Sequence, residues 1–173
     1  MDNYFFDTKI KVSNEFLETV KNFMKNSQDS DWKDVLQMTL LLLPKTLFEQ
    51  ELALMKIINR FDAGNRLAVY KTSPNTSYHW HRDSSRFTCL NILIDGYDSL
   101  CMFAKTPVNG MMHDLVKLNY EPNNVHLLNV SQLHTVFNFN NDRHLLSIGI
   151  PSPNTFEQVR NFIQEEIVDT NTK

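Results

Sequence analysis

A mainly β domain with flanking α helices, folded as a jelly-roll-like barrel under a helical cover, is the class that the sequence predicts. Three observations carry it. From residue 66 to 150, about eight short apolar runs follow one another with turn residues between them, a spacing that suits a sandwich or barrel and not alternating βαβ units. Over residues 12–60, and again over 153–168, apolar residues recur at helical intervals. No repeat, low-complexity tract or linker divides the chain, so residues 1–173 are expected to form one domain.

Taken in order, residues 1–10 read as an edge strand or a loose arm. Phe16, Leu17, Val20, Phe23 and Met24 then define a helical face, with Ser13 as N-cap and Glu15 in the first turn, where negative charge is favoured. The polar run at 26–31 ends it. Trp32 to Leu43 fits either a helix or a strand, and Pro44 stops it in both cases. Thr46 is the expected cap of a second helix carrying Leu47, Leu52, Leu54, Met55 and Ile58, closed by a turn at Asp62 to Asn65.

The period then changes. Leu67–Tyr70 reads as a strand, 72–77 as a loop, Tyr78–Asp83 as a strand, and Phe87–Ile94 as a buried strand bounded by Asp95-Gly96. Leu100–Ala104 follows at hairpin distance, 105–114 reads as a loop, and short strands fall near 115–119 and 125–129. His134–Phe139 and Arg143–Ile150, joined by Asn140-Asn141-Asp142, are expected to form a final hairpin. Pro153 suits the first turn of a terminal helix on which Phe156, Val159, Ile163 and Ile167 share a face.

Composition narrows the function classes. A net charge of −3 gives no broad attraction to phosphate backbones, which makes nucleic acid an unlikely partner. Cys89 and Cys101 lie in apolar runs and read as buried, reduced thiols, so a cytoplasmic setting is expected. The N-terminal MDNYFFDTKI lacks the basic-then-apolar order of a signal peptide, and the most apolar run, 36–44, is too short to span a bilayer. No membrane association is expected.

The chemistry concentrates at Tyr78–Arg86, YHWHRDSSR. Residues two apart on a strand point to one side, so the His81 imidazole and the Asp83 carboxylate can reach a common point. His134 follows 51 residues after Asp83, and Arg143 nine residues later. Two imidazoles and one carboxylate on one face of a metal ion leave positions open for small ligands, the ligand set of non-heme Fe(II) oxygenases. An arginine on a neighbouring strand supplies a planar, two-pronged donor for a carboxylate.

These residues, with the flanks FTCLNILI, VHLLN, HTVFNF and RHLLSIGI, resemble the Fe(II)/2-oxoglutarate-dependent oxygenases over about residues 66–150. The resemblance is nearest to their prolyl-hydroxylase and aspartyl/asparaginyl β-hydroxylase-like branches. It implies a cupin-like double-stranded β-helix with the helices 12–60 on its outer sheet, and Fe(II) held by His81, Asp83 and His134. It also implies that Arg143 pairs with the distal carboxylate of 2-oxoglutarate. The implied reaction hydroxylates an amino-acid or peptidyl side chain with release of succinate and CO2. A carboxylate at Asp83 favours hydroxylation over halogenation. Gly149 stands where nucleic-acid demethylases of the superfamily carry a second arginine, which lowers that substrate class.

Other residues have two readings each. Asn91, polar in an apolar run, either meets the 2-oxoglutarate carboxylate or bonds to neighbouring backbone; Tyr70 either lines the co-substrate pocket or is a half-buried aromatic. Val136 is expected as an apolar wall. Arg86 is either a carboxylate ligand at the mouth or a solvated charge, the ordinary state of arginine. His79 shares parity with His81 and Asp83 and is the main decoy, while His113, His126 and His144 read as structural or exposed. The rival reading is a non-catalytic cupin-like module that binds a metal or a small acid; a third is a scaffold for protein contacts.

Overall fold

The structure, a computed structural model, describes residues 3–108 and 111–168. Phe5–Lys11 (β1) is the edge strand, not a loose arm. Asn14–Asn26 (α1) begins where the sequence predicts, with the Ser13 hydroxyl oxygen accepting from the Phe16 N–H at 3.1 Å. Trp32–Val35 (β2) and Met38–Leu42 (β3) form a hairpin, which resolves the ambiguity of residues 32–43. Leu36 takes a left-handed φ of 56° at its tip.

The second helix starts later than expected. Residues 45–48 form a 3₁₀ turn that carries Phe48 into the core against Phe16, with ring centroids 5.3 Å apart. Thr46 caps nothing, and Leu52–Arg60 (α2) follows. Glu51, at the start of α2, accepts from both the N–H and the hydroxyl of Ser13, at 2.9 and 2.6 Å, which ties the two helix starts together.

The remaining strands are Leu67–Thr72 (β4), Thr76–His81 (β5), Arg86–Asp95 (β6), Leu100–Val108 (β7), Met111–Leu118 (β8), Asn124–Asn129 (β9), Leu133–Asn138 (β10) and Arg143–Pro151 (β11). The expected loop at 105–114 is therefore mostly the arms of the β7–β8 hairpin, with 109–110 outside the described residues. The strands form a seven-stranded antiparallel sheet in the order β1-β9-β6-β11-β4-β3-β2 and a four-stranded one in the order β5-β10-β7-β8.

Two expected hairpins are absent, and their absence defines the topology. Although β10 and β11 are joined by a tight turn, β10 pairs with β5 and β7 whereas β11 pairs with β4 and β6. Likewise β6 lies in the large sheet and β7 in the small one. The chain crosses between sheets at these turns, as in a jelly roll, because each strand has two dissimilar faces to cover.

On β6, Leu90, Ile92 and Ile94 join the core beneath the helices, with Phe16, Leu17 and Val20 of α1 and Leu54, Ile57 and Ile58 of α2. Cys89, on the opposite face, joins a smaller cluster with Cys101, Phe103 and Leu128 between the sheets. Helices thus cover the outer face of the large sheet, as expected. The terminal helix Phe156–Phe162 (α3) is capped by Thr155 and Gln158 in reciprocal bonds instead of starting on Pro153, and continues as a wider turn over 163–168. Among the described residues, no helix is long and apolar enough to cross a membrane.

Candidate metal and co-substrate site

Between the sheets lies a cavity of about 550 Å³, lined from the large sheet by Tyr70, Asn91, Arg143 and Ser147 and from the small one by His81, His134 and Val136. His81 and His134 are directly opposed on β5 and β10, and their ring centroids are 4.1 Å apart. Asp83 is not on the strand, contrary to the expectation of residues 78–83 as one strand, since β5 ends at His81. A bend carries Asp83 round instead, and its N–H donates to the Val130 carbonyl at 2.9 Å.

The three side chains converge. Asp83 Oδ1 lies 3.4 Å from His81 Nε2 and 3.9 Å from His134 Nε2, and one ligand atom from each residue falls within 4.8 Å of the others. Each imidazole gives its Nδ1–H to a carbonyl two residues back, His81 to His79 at 2.7 Å and His134 to Gln132 at 2.9 Å. Those bonds fix the ring orientation and turn both Nε2 atoms toward Asp83, where each can donate to the carboxylate when protonated and offer a lone pair to a metal when neutral. Two nitrogen lone pairs and a carboxylate oxygen facing one another form a cation site by chemistry alone.

Electrostatics agree. Burial opposes ionisation of Asp83, but the hydrogen bond to His81 and the adjacent Arg86 guanidinium outweigh it and hold its pKa at about 2. Burial and the neighbouring His81 pull His134 down to about 4. Anionic carboxylate and neutral imidazole are the protonation states that a divalent metal requires.

Deeper in, Arg143 is 1% exposed. Its Nε donates to Ser99 Oγ at 3.0 Å and its guanidinium lies over the Tyr120 ring at 5.7 Å. Nη2 is buried without a hydrogen-bond partner, and no carboxylate among the described residues pairs with the charge. A buried guanidinium lacking an anion is costly, so this end of the cavity suits an anionic group. Asn91 donates to Tyr120 Oη at 3.5 Å, and its Oδ1 has no partner, so the backbone-bonded alternative does not hold.

Comparison with known structures follows from this architecture. A prolyl-4-hydroxylase from Pseudomonas putida matches with a TM-score of 0.62 at 11% identity, over 88% of this chain and 94% of its own. A prolyl hydroxylase from Trichoplax adhaerens, solved with a hypoxia-inducible-factor peptide, matches at 0.63 and 11%, over 92% and 87%. HygX from Streptomyces hygroscopicus, solved with nickel and 2-oxoglutarate, matches at 0.60 and 13%, over 88% and 85%. The fold is a double-stranded β-helix. No protein-family model and no curated protein sequence matches the chain.

Within the double-stranded β-helix, Val136 lines the cavity as expected, and Tyr70 meets both of its readings, half-buried and on the cavity wall. His79 is exposed and meets Gln37 of the β2–β3 turn at 3.0 Å, outside the ligand group. His126 is buried, His144 bonds Asp95 at 2.7 Å, and His113 is exposed.

Arg86 departs from the ordinary solvated state. Its side chain is 21% exposed and its Nε donates to Asp83 Oδ2 at 2.7 Å. It runs over Gly149, where an added Cβ would lie 3.4 Å from Arg86 Nη1, so the adjacent strand brings a guanidinium to the place where the sequence has a glycine. Sequence reasoning missed Tyr120 altogether. The unmet hydrogen-bonding need of Asn91 was its only signal.

Proposed function

We propose that this chain is an Fe(II)- and 2-oxoglutarate-dependent dioxygenase that hydroxylates an amino-acid or peptidyl side chain, with His81, Asp83 and His134 as metal ligands and Arg143 as the co-substrate anchor. The observation that carries the reading is the pairing of a cation site with a buried, unpaired arginine in one cavity. Each alone has other uses. Together they match a metal ion and a dicarboxylate lying side by side.

The residues divide the work. The two histidines and Asp83 hold the ion and leave one side open to the cavity. Arg143 fixes the co-substrate by charge, with Tyr120 and Asn91 beside it and Tyr70 on the cavity wall, so that the co-substrate's other end is directed to the metal. Iron and 2-oxoglutarate, when bound, supply the O2 activation that releases succinate and CO2. The walls Val136 and Tyr78 exclude water from the reacting centre. Similarity to enzymes solved with a peptide, and in HygX with hygromycin B, leaves both macromolecular and small substrates as candidates.

The test is oxygen-dependent succinate formation from 2-oxoglutarate with Fe(II), compared between the wild type and His134→Ala. Turnover by the wild type alone is expected. Metal and 2-oxoglutarate binding without any succinate, across a screen of amino acids and peptides, would instead identify the cupin-like binding module.

A further inference from the structure

Asp83 poses a problem of orientation. His81 and His134 sit on paired strands whose register fixes them, whereas Asp83 follows the end of β5 on a bend, where its backbone N–H is tied to the Val130 carbonyl. A carboxylate on such a bend can turn, or can present both oxygens to a metal and take a position that a co-substrate needs. The two oxygens of Asp83 are nevertheless placed differently. Oδ1 faces the histidines at 3.4 and 3.9 Å, while Oδ2 accepts from Arg86 Nε at 2.7 Å.

We propose that Arg86 is a positioning residue for the metal centre: it occupies Oδ2 of Asp83 so that Oδ1 alone is turned to the point shared with His81 and His134. The inference rests on reading those three residues as metal ligands. Arg86 is itself held from two further directions. Its Nη1 donates to Ser147 Oγ on β11 at 3.3 Å, and its guanidinium lies over the Tyr70 ring of β4 at 5.7 Å. The planar fork can reach Asp83 through Nε and Ser147 through Nη1 at once, which an ammonium cannot reproduce. Gly149 lies directly beside it: a Cβ added there would stand in ordinary van der Waals contact with Nη1 and Cδ, at 3.4 and 3.5 Å. Three strands of the large sheet thereby hold one oxygen of a ligand carried on the bend that follows β5 of the small one.

The sign of the effect distinguishes positioning from simple charge. A cation beside the site repels a metal, so on charge alone removal of Arg86 tightens divalent binding. As a positioning residue, its removal loosens binding, by tenfold or more for an outer partner of a ligand. The experiment titrates metal-free protein with Co2+, reading affinity by calorimetry and ligand geometry by the visible spectrum of the ion.

Arg86→Met is expected to bind Co2+ at least about tenfold more weakly than the wild type with an altered spectrum, and Arg86→Lys to fall between them. Arg86→Met binding as tightly as the wild type, or more tightly, overturns the proposal. If Arg86→Met does not fold by circular dichroism, Arg86→Lys decides: weaker binding with a changed spectrum supports positioning, and wild-type affinity overturns it. A wild type that takes up no Co2+ overturns the ligand reading itself, and this inference with it.

Discussion

Gly96 lies so close to Arg143 that a Cβ added to it would stand 2.7 Å from the Arg143 Cα and 2.8 Å from its Cβ. The glycine also has a φ of 80°, which side-chain-bearing residues rarely adopt. The turn after β6 and the start of β11 are thus locked together at the residue proposed to anchor the co-substrate. Gly96→Ala is expected to cost about 1–3 kcal/mol in urea unfolding, through both strain and displacement of β11. It should also weaken 2-oxoglutarate binding, measured by calorimetry, because Arg143 cannot keep its place. Unchanged affinity would show that Arg143 does not hold the co-substrate.

Arg143→Met separates stability from binding. Replacing a buried, unpaired cation with an apolar side chain of similar length should raise the unfolding free energy of the free protein, by about 1 kcal/mol or more. The same change should reduce 2-oxoglutarate affinity at least about 30-fold, the loss expected when one partner of a buried charge pair is removed. A variant that is less stable and still binds would contradict the role given to this side chain.

His126 gives the stability a pH dependence. Both of its ring nitrogens are buried without hydrogen-bond partners, and burial lowers its pKa from 6.5 against the opposing pull of Asp7 and Glu121. The unfolded chain takes up a proton near pH 6.5 that the folded chain resists, so stability is fully present above that pH and declines as the pH falls below it. The slope attributable to this group is at most about 1.4 kcal/mol per pH unit. Denaturant midpoints on both sides of pH 6.5 should show a shallower decline in His126→Phe than in the wild type. Equal slopes would mean that the imidazole charges freely in the folded protein.

Cys89 and Cys101 should behave as inert thiols. Burial pushes both up to about 11, and they are 0% and 3% exposed. A thiol reagent at mildly alkaline pH is expected to label neither in the native protein and both after unfolding. Rapid native labelling would indicate that the sheets part readily at the cavity.

Local pattern carried much of this structure, and long-range pairing did not. The alternation of Cys89 and Asn91 with Leu90 and Ile92 fixed which face of β6 met the cavity, because burial on one side and chemistry on the other leave a mark in the sequence. His134 and Arg143 were visible for a similar reason, as polar groups opening apolar strands, while His81 and Asp83 were visible by their spacing from each other and from His134.

Short turns misled where β10 meets β11, since a turn that closes a hairpin and one that crosses between sheets use the same residues. Neither reading given to Arg86 anticipated its bond to Asp83, because both followed the usual behaviour of arginine, and residues 82–85 form no strand whose parity could place it. Tyr120, beyond the end of β8, belongs to no periodic run.

The crossing turns have one mechanical consequence. His81 and His134 hang from the four-stranded sheet while Arg143 hangs from the seven-stranded one, so an ion and a dicarboxylate bound in tandem would bolt one layer to the other. Either ligand alone would grip a single layer. Slower cleavage by proteases when both are supplied than either provides separately would be the sign of such a rivet, and the sandwich would then be toughest in the state ready to receive its substrate.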